Sequence, residues 1–305
     1  MSFRTGRRHI GMTAVTTTPE QIVSANGVEL CVQAFGSPDA DPVLLIAGAA
    51  SSMLYWDDEF CARLAAGPRF VIRYDHRDTG RSVTSPPGAP DYTPSDLLDD
   101  AIGLLDTFGI GRAHLVGLSM GGGLAQLAAY THPERVASLT LIATSPAGPS
   151  AHSDLPSMSE QVQAEFAAVA EPDWADRNAV IEYLVTQERL CAARSVPFDA
   201  DGMRAAMVRV LERSTDVRSM FNHFAVLGGD APRHRLAEIT APTLVLHGDD
   251  DPVWPPAHGA ALAAEIPGAR LVTLSRVGHE WPRRAWEQAL PEILTHTAAG
   301  ASPPR

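Results

Sequence analysis

The chain has 305 residues, 45% hydrophobic and 20% charged, enough for one large core that needs no disulfide or metal staple. A formal charge of −12 repels phosphate backbones and argues against nucleic acid as a partner. All 24 basic residues are arginine, and without lysine there is no amine for Schiff-base, pyridoxal-phosphate or P-loop chemistry. Cys31, Cys61 and Cys191 are odd in number and widely spaced, so they suggest neither a disulfide framework nor a zinc site, and a reducing cytoplasm is the expected setting. No apolar run has the length of a membrane span or the flanks of a secretory leader.

Residues 1–19 are polar and Thr-rich, which predicts a loose arm. Asn26-Gly27 between residues 21–25 and 28–35 is a hairpin signal. Residues 43–46 form a short, continuously apolar run, the pattern of a strand buried on both faces. A helix over 57–66, a strand over 69–74, a helix over 97–108, a strand over 113–117, a helix over 121–131 and a strand over 136–143 follow. This alternation predicts a mostly parallel sheet with helices on both faces. From 146 the rhythm changes: 159–170, 177–194 and 202–213 all have helical spacing, with few strand candidates among them. Alternation resumes with 243–247, 258–265, 270–274 and 286–296. The predicted organisation is an α/β core over 20–145 and 236–297, a helical cap over 146–235 and a short flexible tail over 298–305.

Gly117-Leu118-Ser119-Met120-Gly121 is a G-x-S-x-G pentapeptide between a predicted strand and a predicted helix. That is the setting of a nucleophile elbow, a tight turn that exposes a serine hydroxyl at a helix N-terminus. A serine needs a base. Among eleven histidines, His279 stands near the C-terminus after a strand and Gly278, as the chain order Ser, Asp, His requires. His76 and His247 are read as structural. The histidine in turn needs a carboxylate, and Asp249-Asp250-Asp251-Pro252 follows the strand at 243–247. Any of the three aspartates would serve; Asp251 is preferred because Pro252 stiffens its loop, the other two being read as a solvated turn and no metal being expected. The oxyanion hole is expected to take one N–H from Met120 and one from the small-residue loop 47–50, with Ala49 as the preferred donor. In the cap, Phe166, Trp174, Tyr183, Met203, Met207, Met220 and Phe221 are candidate pocket residues, and of these Trp174, Met203, Met207 and Phe221 are the chosen substrate contacts.

Taken together, Gly117–Gly121, the Gly248-to-Pro252 segment and Val277-Gly278-His279 resemble the three signatures of the capped α/β-hydrolases. Tyr74-Asp75-His76-Arg77-Asp78-Thr79-Gly80-Arg81-Ser82 and Val116-Gly117-Leu118-Ser119-Met120-Gly121 look most like the aclacinomycin-methylesterase group of polyketide-tailoring esterases, and Trp56 with Asp58-Glu59-Phe60 resembles the same group. The resemblance implies a cofactor-free esterase acting on a methyl ester of a bulky hydrophobic compound, with Ser119, Asp251 and His279 as triad and Ala49 and Met120 as oxyanion donors. Lactonase, C–C hydrolase, proline iminopeptidase, haloperoxidase and a non-catalytic binding role stay open on the same scaffold. The sequence departs from the group at Ala47–Ala50, where a second glycine or a histidine is common, and at Glu280, which either raises the His279 pKa or faces solvent.

Overall fold

A computed structural model describes residues 15–148, 154–226 and 233–299. Among the described residues eight strands form one sheet: β1 (Gln21–Ala25), β2 (Val28–Phe35), β3 (Asp41–Ile46), β4 (Arg69–Tyr74), β5 (Ala113–Leu118), β6 (Val136–Ile142), β7 (Thr243–Gly248) and β8 (Arg270–Leu274). Their spatial order is β1-β2-β4-β3-β5-β6-β7-β8; the β1–β2 and β2–β4 pairs are antiparallel, so β2 alone runs against the others, and the pairs from β4 to β8 are parallel. Successive side chains of a strand leave on opposite faces, so an unbroken apolar run feeds two cores. Leu44, Ile72, Leu115 and Val245 pack with α2 (Pro94–Thr107), α3 (Met120–Thr131) and α8 (Ala257–Glu265). Their neighbours Val43, Leu45, Val71, Val116 and Leu244 pack with α1 (Asp58–Ala65) and α9 (Arg283–Ala299).

Chain order reverses at β3, whose neighbours are β4 on one side and β5 on the other. In open α/β sheets such a switch leaves a crevice beyond the carboxyl ends of the strands. Ile46 pairs with Gly117 at those ends, so the loops after β3 and β5 lie side by side.

Between β6 and β7 the chain inserts α4 (Glu160–Ala167), α5 (Arg177–Cys191), α6 (Ala200–Arg213) and the short α7 (His223–Val226). Val180, Ile181, Leu184, Met207 and Val210 give α5 and α6 a small apolar cluster of their own. Two of the insertion's helices are shorter than their spacing suggests, α4 at Glu160–Ala167 against 159–170 and α5 at Arg177–Cys191 against 177–194. Helix α5 stops at Cys191 rather than 194, because Ala192 is extended (ψ 153°) and the Ala193 N–H turns to the Glu280 carboxylate at 2.8 Å. The α4 N-terminus is set by Ser159, whose hydroxyl accepts from the Val162 N–H. Helix α7 and the 3-10 turns Val217–Asn222 and Arg233–Glu238 lie in stretches with no periodic signal.

Of the arm expected over 1–19, residues 1–14 lie outside the described residues, while the Thr18 N–H bonds the Ala34 carbonyl at 2.9 Å and Thr17 bridges Phe35. Helix α9 runs through the expected start of the tail to Ala299, and the rest of that tail lies outside the described residues. No helix among the described residues is long and apolar enough to cross a membrane.

Candidate active site

Strand β5 delivers Ser119 at a sharp turn, with φ 51° and ψ −116°. A non-glycine residue there is strained and must be held by its surroundings. The hold is double: the Ser119 N–H donates to the Ile142 carbonyl at 2.9 Å, and the Thr144 hydroxyl donates to the Ser119 carbonyl at 2.8 Å. The flanking glycines are required by space. A Cβ on Gly117 would sit 2.2 Å from the Gly121 carbonyl oxygen, and one on Gly121 would sit 2.2 Å from that of Ile46.

The loops after β7 and β8 bring the other two side chains. Asp251 is buried; its Oδ1 accepts the N–H groups of Val253 and Trp254, both at 2.9 Å, which leaves Oδ2 for the His279 Nδ1 at 3.0 Å. The other ring nitrogen, Nε2, lies 2.9 Å from the Ser119 hydroxyl. A carboxylate only accepts, so Nδ1 carries the proton and Nε2 faces Ser119 as an acceptor. Burial opposes charge on His279, but the Asp251 carboxylate and its hydrogen bond outweigh it, with Glu188 and Glu280 adding, and the imidazole is held above its ordinary value. Asp251 is held low, burial being overcome by the same histidine, His247 and backbone donors.

His247 approaches the same Asp251 oxygen at 3.7 Å, but its Nε2 donates to the Trp254 carbonyl at 2.8 Å and burial lowers its pKa. It buttresses the aspartate loop. The neighbouring aspartates are not a purely solvated turn. Asp249 accepts the Arg276 N–H and Asp250 the Ser195 N–H, each at 2.6 Å, so one pins the histidine loop and the other the helical insertion.

Beyond β3, Gly48 lets the loop lie against the elbow: a Cβ there would be 3.2 Å from Leu118 Cδ2 and 3.4 Å from Ser119 Cβ. The Ala50 N–H is taken by His223 Nδ1 at 3.0 Å, whereas the Ala49 N–H has no protein acceptor among the described residues. Met120 is the first residue of α3, so its N–H has no intrahelical acceptor.

Between the insertion and the sheet edge lies a cavity of about 400 Å³. Its wall includes Ala49 and Ala50 on one side and Glu280 and Trp281 on the other; Ser119 and His279 are not part of it, but these neighbours of theirs are. Phe166, Met203, Met207, Met220 and Phe221 line it, while Trp174 and Tyr183 do not: their rings pack on each other and on Phe221. Glu280 is buried rather than solvent-facing, with one oxygen on the Ala193 N–H and the other on Arg284. Glu188 of α5 also lines the cavity, and burial, opposed by His279 and reinforced by Glu280, pushes it up to about 7.

The sequence assigns no role to three groups around this site. Asp75, at the head of the Asp-x-Arg segment, accepts the Met53 N–H at 2.8 Å and that of Arg81 at 3.1 Å, and pairs with Arg213 of α6 at 2.7 Å. His223 and Glu188 sit in helices with no motif, and only coordinates reveal them.

Residues 41–281 match the family model described as alpha/beta hydrolase fold. Rhodomycin D methylesterase DnrP of Streptomyces peucetius is 33% identical over 92% of this chain and 99% of its own, and DauP of Streptomyces sp. (strain C5), also a rhodomycin D methylesterase, is 34% identical over the same shares. The esterase EaEST of Exiguobacterium antarcticum superposes with a TM-score of 0.74 at 20% identity, covering 91% of this chain and 98% of that one, a likeness of fold. The chain belongs to the α/β-hydrolase family.

Proposed function

We propose that the protein is a serine carboxylic ester hydrolase that cleaves the methyl ester of a bulky, hydrophobic, polyketide-type compound. The observation that carries the reading is the unbroken line Asp251 Oδ2, His279 Nδ1, His279 Nε2, Ser119 Oγ, at 3.0 and 2.9 Å. An ester hydrolase also fits the methylesterase relatives, whose similarity spans the insertion as well as the sheet. In this reading Ser119 gives its proton to His279 Nε2 as Oγ attacks the ester carbonyl carbon. The Ala49 and Met120 N–H groups hold the resulting oxyanion. Collapse breaks the carbon–oxygen bond to the alcohol, which leaves with the proton from His279. A water then gives its proton to His279, attacks the acyl carbon and releases the acid, restoring Ser119.

The chemistry uses only the chain's own groups and calls for no cofactor. Met203, Met207 and Phe221 supply apolar walls for the acyl part, and Trp174 supports them from behind through Phe221. The three cysteines are free, which suits a cytoplasmic setting. Replacement of Ser119 by alanine is expected to lower kcat on an aromatic methyl ester by roughly 10⁴ or more while leaving the fold intact. The same variant loses labelling by a fluorophosphonate. Near wild-type turnover in that variant removes the serine from the mechanism and the reading with it.

A further inference from the structure

We infer that His223, carried by the helical insertion, is a positioning residue that holds the loop after β3 in its oxyanion-binding shape; the inference rests on the ester-hydrolase reading above. Ala50 has φ 54°, the left-handed region that a residue with a Cβ enters only at a cost of about 1 kcal/mol or more. Something must therefore hold it. The ring of His223 does so from the far side of the site: Nδ1 accepts the Ala50 N–H at 3.0 Å, and Nε2 donates to the Arg77 carbonyl at 2.9 Å. Both ring nitrogens are satisfied, so tautomer and orientation are fixed. The residue is fully buried, and its ring stands edge-on to those of His76 (5.7 Å) and Tyr92 (6.4 Å).

His76 completes the clamp. Its Nε2 donates to the Ala47 carbonyl at 3.2 Å, so the two histidines grip the four-residue loop at both ends. Two consequences follow for Ala49, which lies between the grips. The Ala50 amide is occupied by a side chain and cannot turn towards a substrate, while the Ala49 amide is left for the oxyanion. His223 of the insertion sets the plane of the Ala49–Ala50 peptide and His76 that of the Ala47–Gly48 peptide, so the Gly48–Ala49 peptide between them, which carries the Ala49 N–H, is confined from both sides. His223 touches no reacting atom and acts through Ala50.

The test compares His223→Phe, which keeps an aromatic ring but loses both hydrogen bonds, with His223→Gln, which keeps an acceptor. The readouts are kcat and KM on an aromatic methyl ester and inhibition by a phenylalkyl trifluoromethyl ketone, to which Ser119 Oγ adds to form an oxyanion. In His223→Phe, kcat is expected to fall about 10- to 100-fold and the inhibition constant to rise by a similar factor, with KM within about threefold of wild type. His223→Gln is expected to recover most of the loss. A folded His223→Phe with wild-type kcat and inhibition overturns the inference. So does a parallel rise of KM and the inhibition constant, the mark of a deformed cavity, or a folded His223→Gln no better than His223→Phe. If His223→Phe does not fold, hydrogen exchange at the Ala50 amide of the wild-type protein decides: slow exchange supports the clamp, and exchange at the rate of an open loop overturns it. Turnover that survives Ser119→Ala sinks the hydrolase reading instead, so the two failures are told apart.

Discussion

The carboxyl edge of the sheet and the helical insertion above it are built by opposite means. At the edge, backbone meets backbone. A Cβ on Gly117, Gly121 or Gly248 would come within 2.2 Å of a carbonyl oxygen, and the strained Ser119 is held by main-chain and threonine hydrogen bonds. In the insertion, side chains do the holding. A small apolar cluster joins α5 to α6, and buried side chains stitch the insertion to the core, Arg213 of α6 to Asp75 and His223 of α7 to Ala50. The difference teaches that Ser119 sits where backbone contacts leave almost no room for another side chain, and that the cavity walls sit where side chains have more freedom.

The sharpest way to break the edge without touching its shape is Asp251→Asn. An amide keeps an acceptor for Val253 and Trp254 but turns its NH₂ towards His279 Nδ1, so the imidazole takes the wrong tautomer. We expect kcat to fall by about 10⁴, with the melting temperature nearly unchanged. A loss below tenfold would detach Asp251 from the mechanism.

The stitch is broken by Arg213→Met. Asp75 is fully buried and receives Arg213 at 2.7 Å, together with the Met53 and Arg81 N–H groups. Removing the arginine leaves a buried carboxylate without its counter-charge, expected to destabilise the fold by about 3–5 kcal/mol in denaturant titration. A change under 1 kcal/mol would mean that backbone donors alone satisfy Asp75.

The same contrast explains what could be read before coordinates. A buried strand writes itself as a run such as Val43 to Ile46, and an elbow as glycines two before and two after a serine, because sterics allow little else. Hence the sheet, and the side chains that meet at its edge, were legible. Backbone donors leave no trace in residue identity, so Ala49 could be argued only from its place in a small-residue loop. Partners that act across more than a hundred residues leave none either. Arg213 at the end of an amphipathic helix, and His223 in an aperiodic stretch, look like surface and linker until the fold brings them to Asp75 and Ala50. Trp174 shows the converse: aromatic character marks it for the pocket, yet its ring packs on Tyr183 and Phe221 and stays out of the cavity wall.

The tolerance of the walls is tested by Met203→Ala. This side chain lines the cavity and is only partly buried, so its loss costs the fold little. About 1–2 kcal/mol of binding to a bulky acyl group is at stake, and kcat/KM for such an ester is expected to fall about tenfold while that for methyl acetate stays within about twofold. Equal losses on both esters would place Met203 outside the acyl site.

The smallest effect lies where wall and edge meet. Glu188 belongs to the insertion, yet its charge, with those of Asp251 and Glu280, favours the protonated form of His279. In the proposed mechanism the base must be neutral to accept the Ser119 proton, so a raised pKa delays activity: kcat/KM is expected to climb with pH through that value and to vanish well below it. Glu188→Gln removes one of the charges that raise it. The acid limb should therefore move to lower pH, and near pH 7 the variant should turn over faster than wild type. Because burial pushes Glu188 itself up to about 7, its carboxyl is largely protonated well below that pH and exerts little pull there. The two profiles should thus differ near neutrality and converge in the most acidic part of the range, as two coupled groups require. An acid limb that stays in place, or moves to higher pH, would show that Glu188 does not act on the histidine and that wall and edge are electrostatically independent.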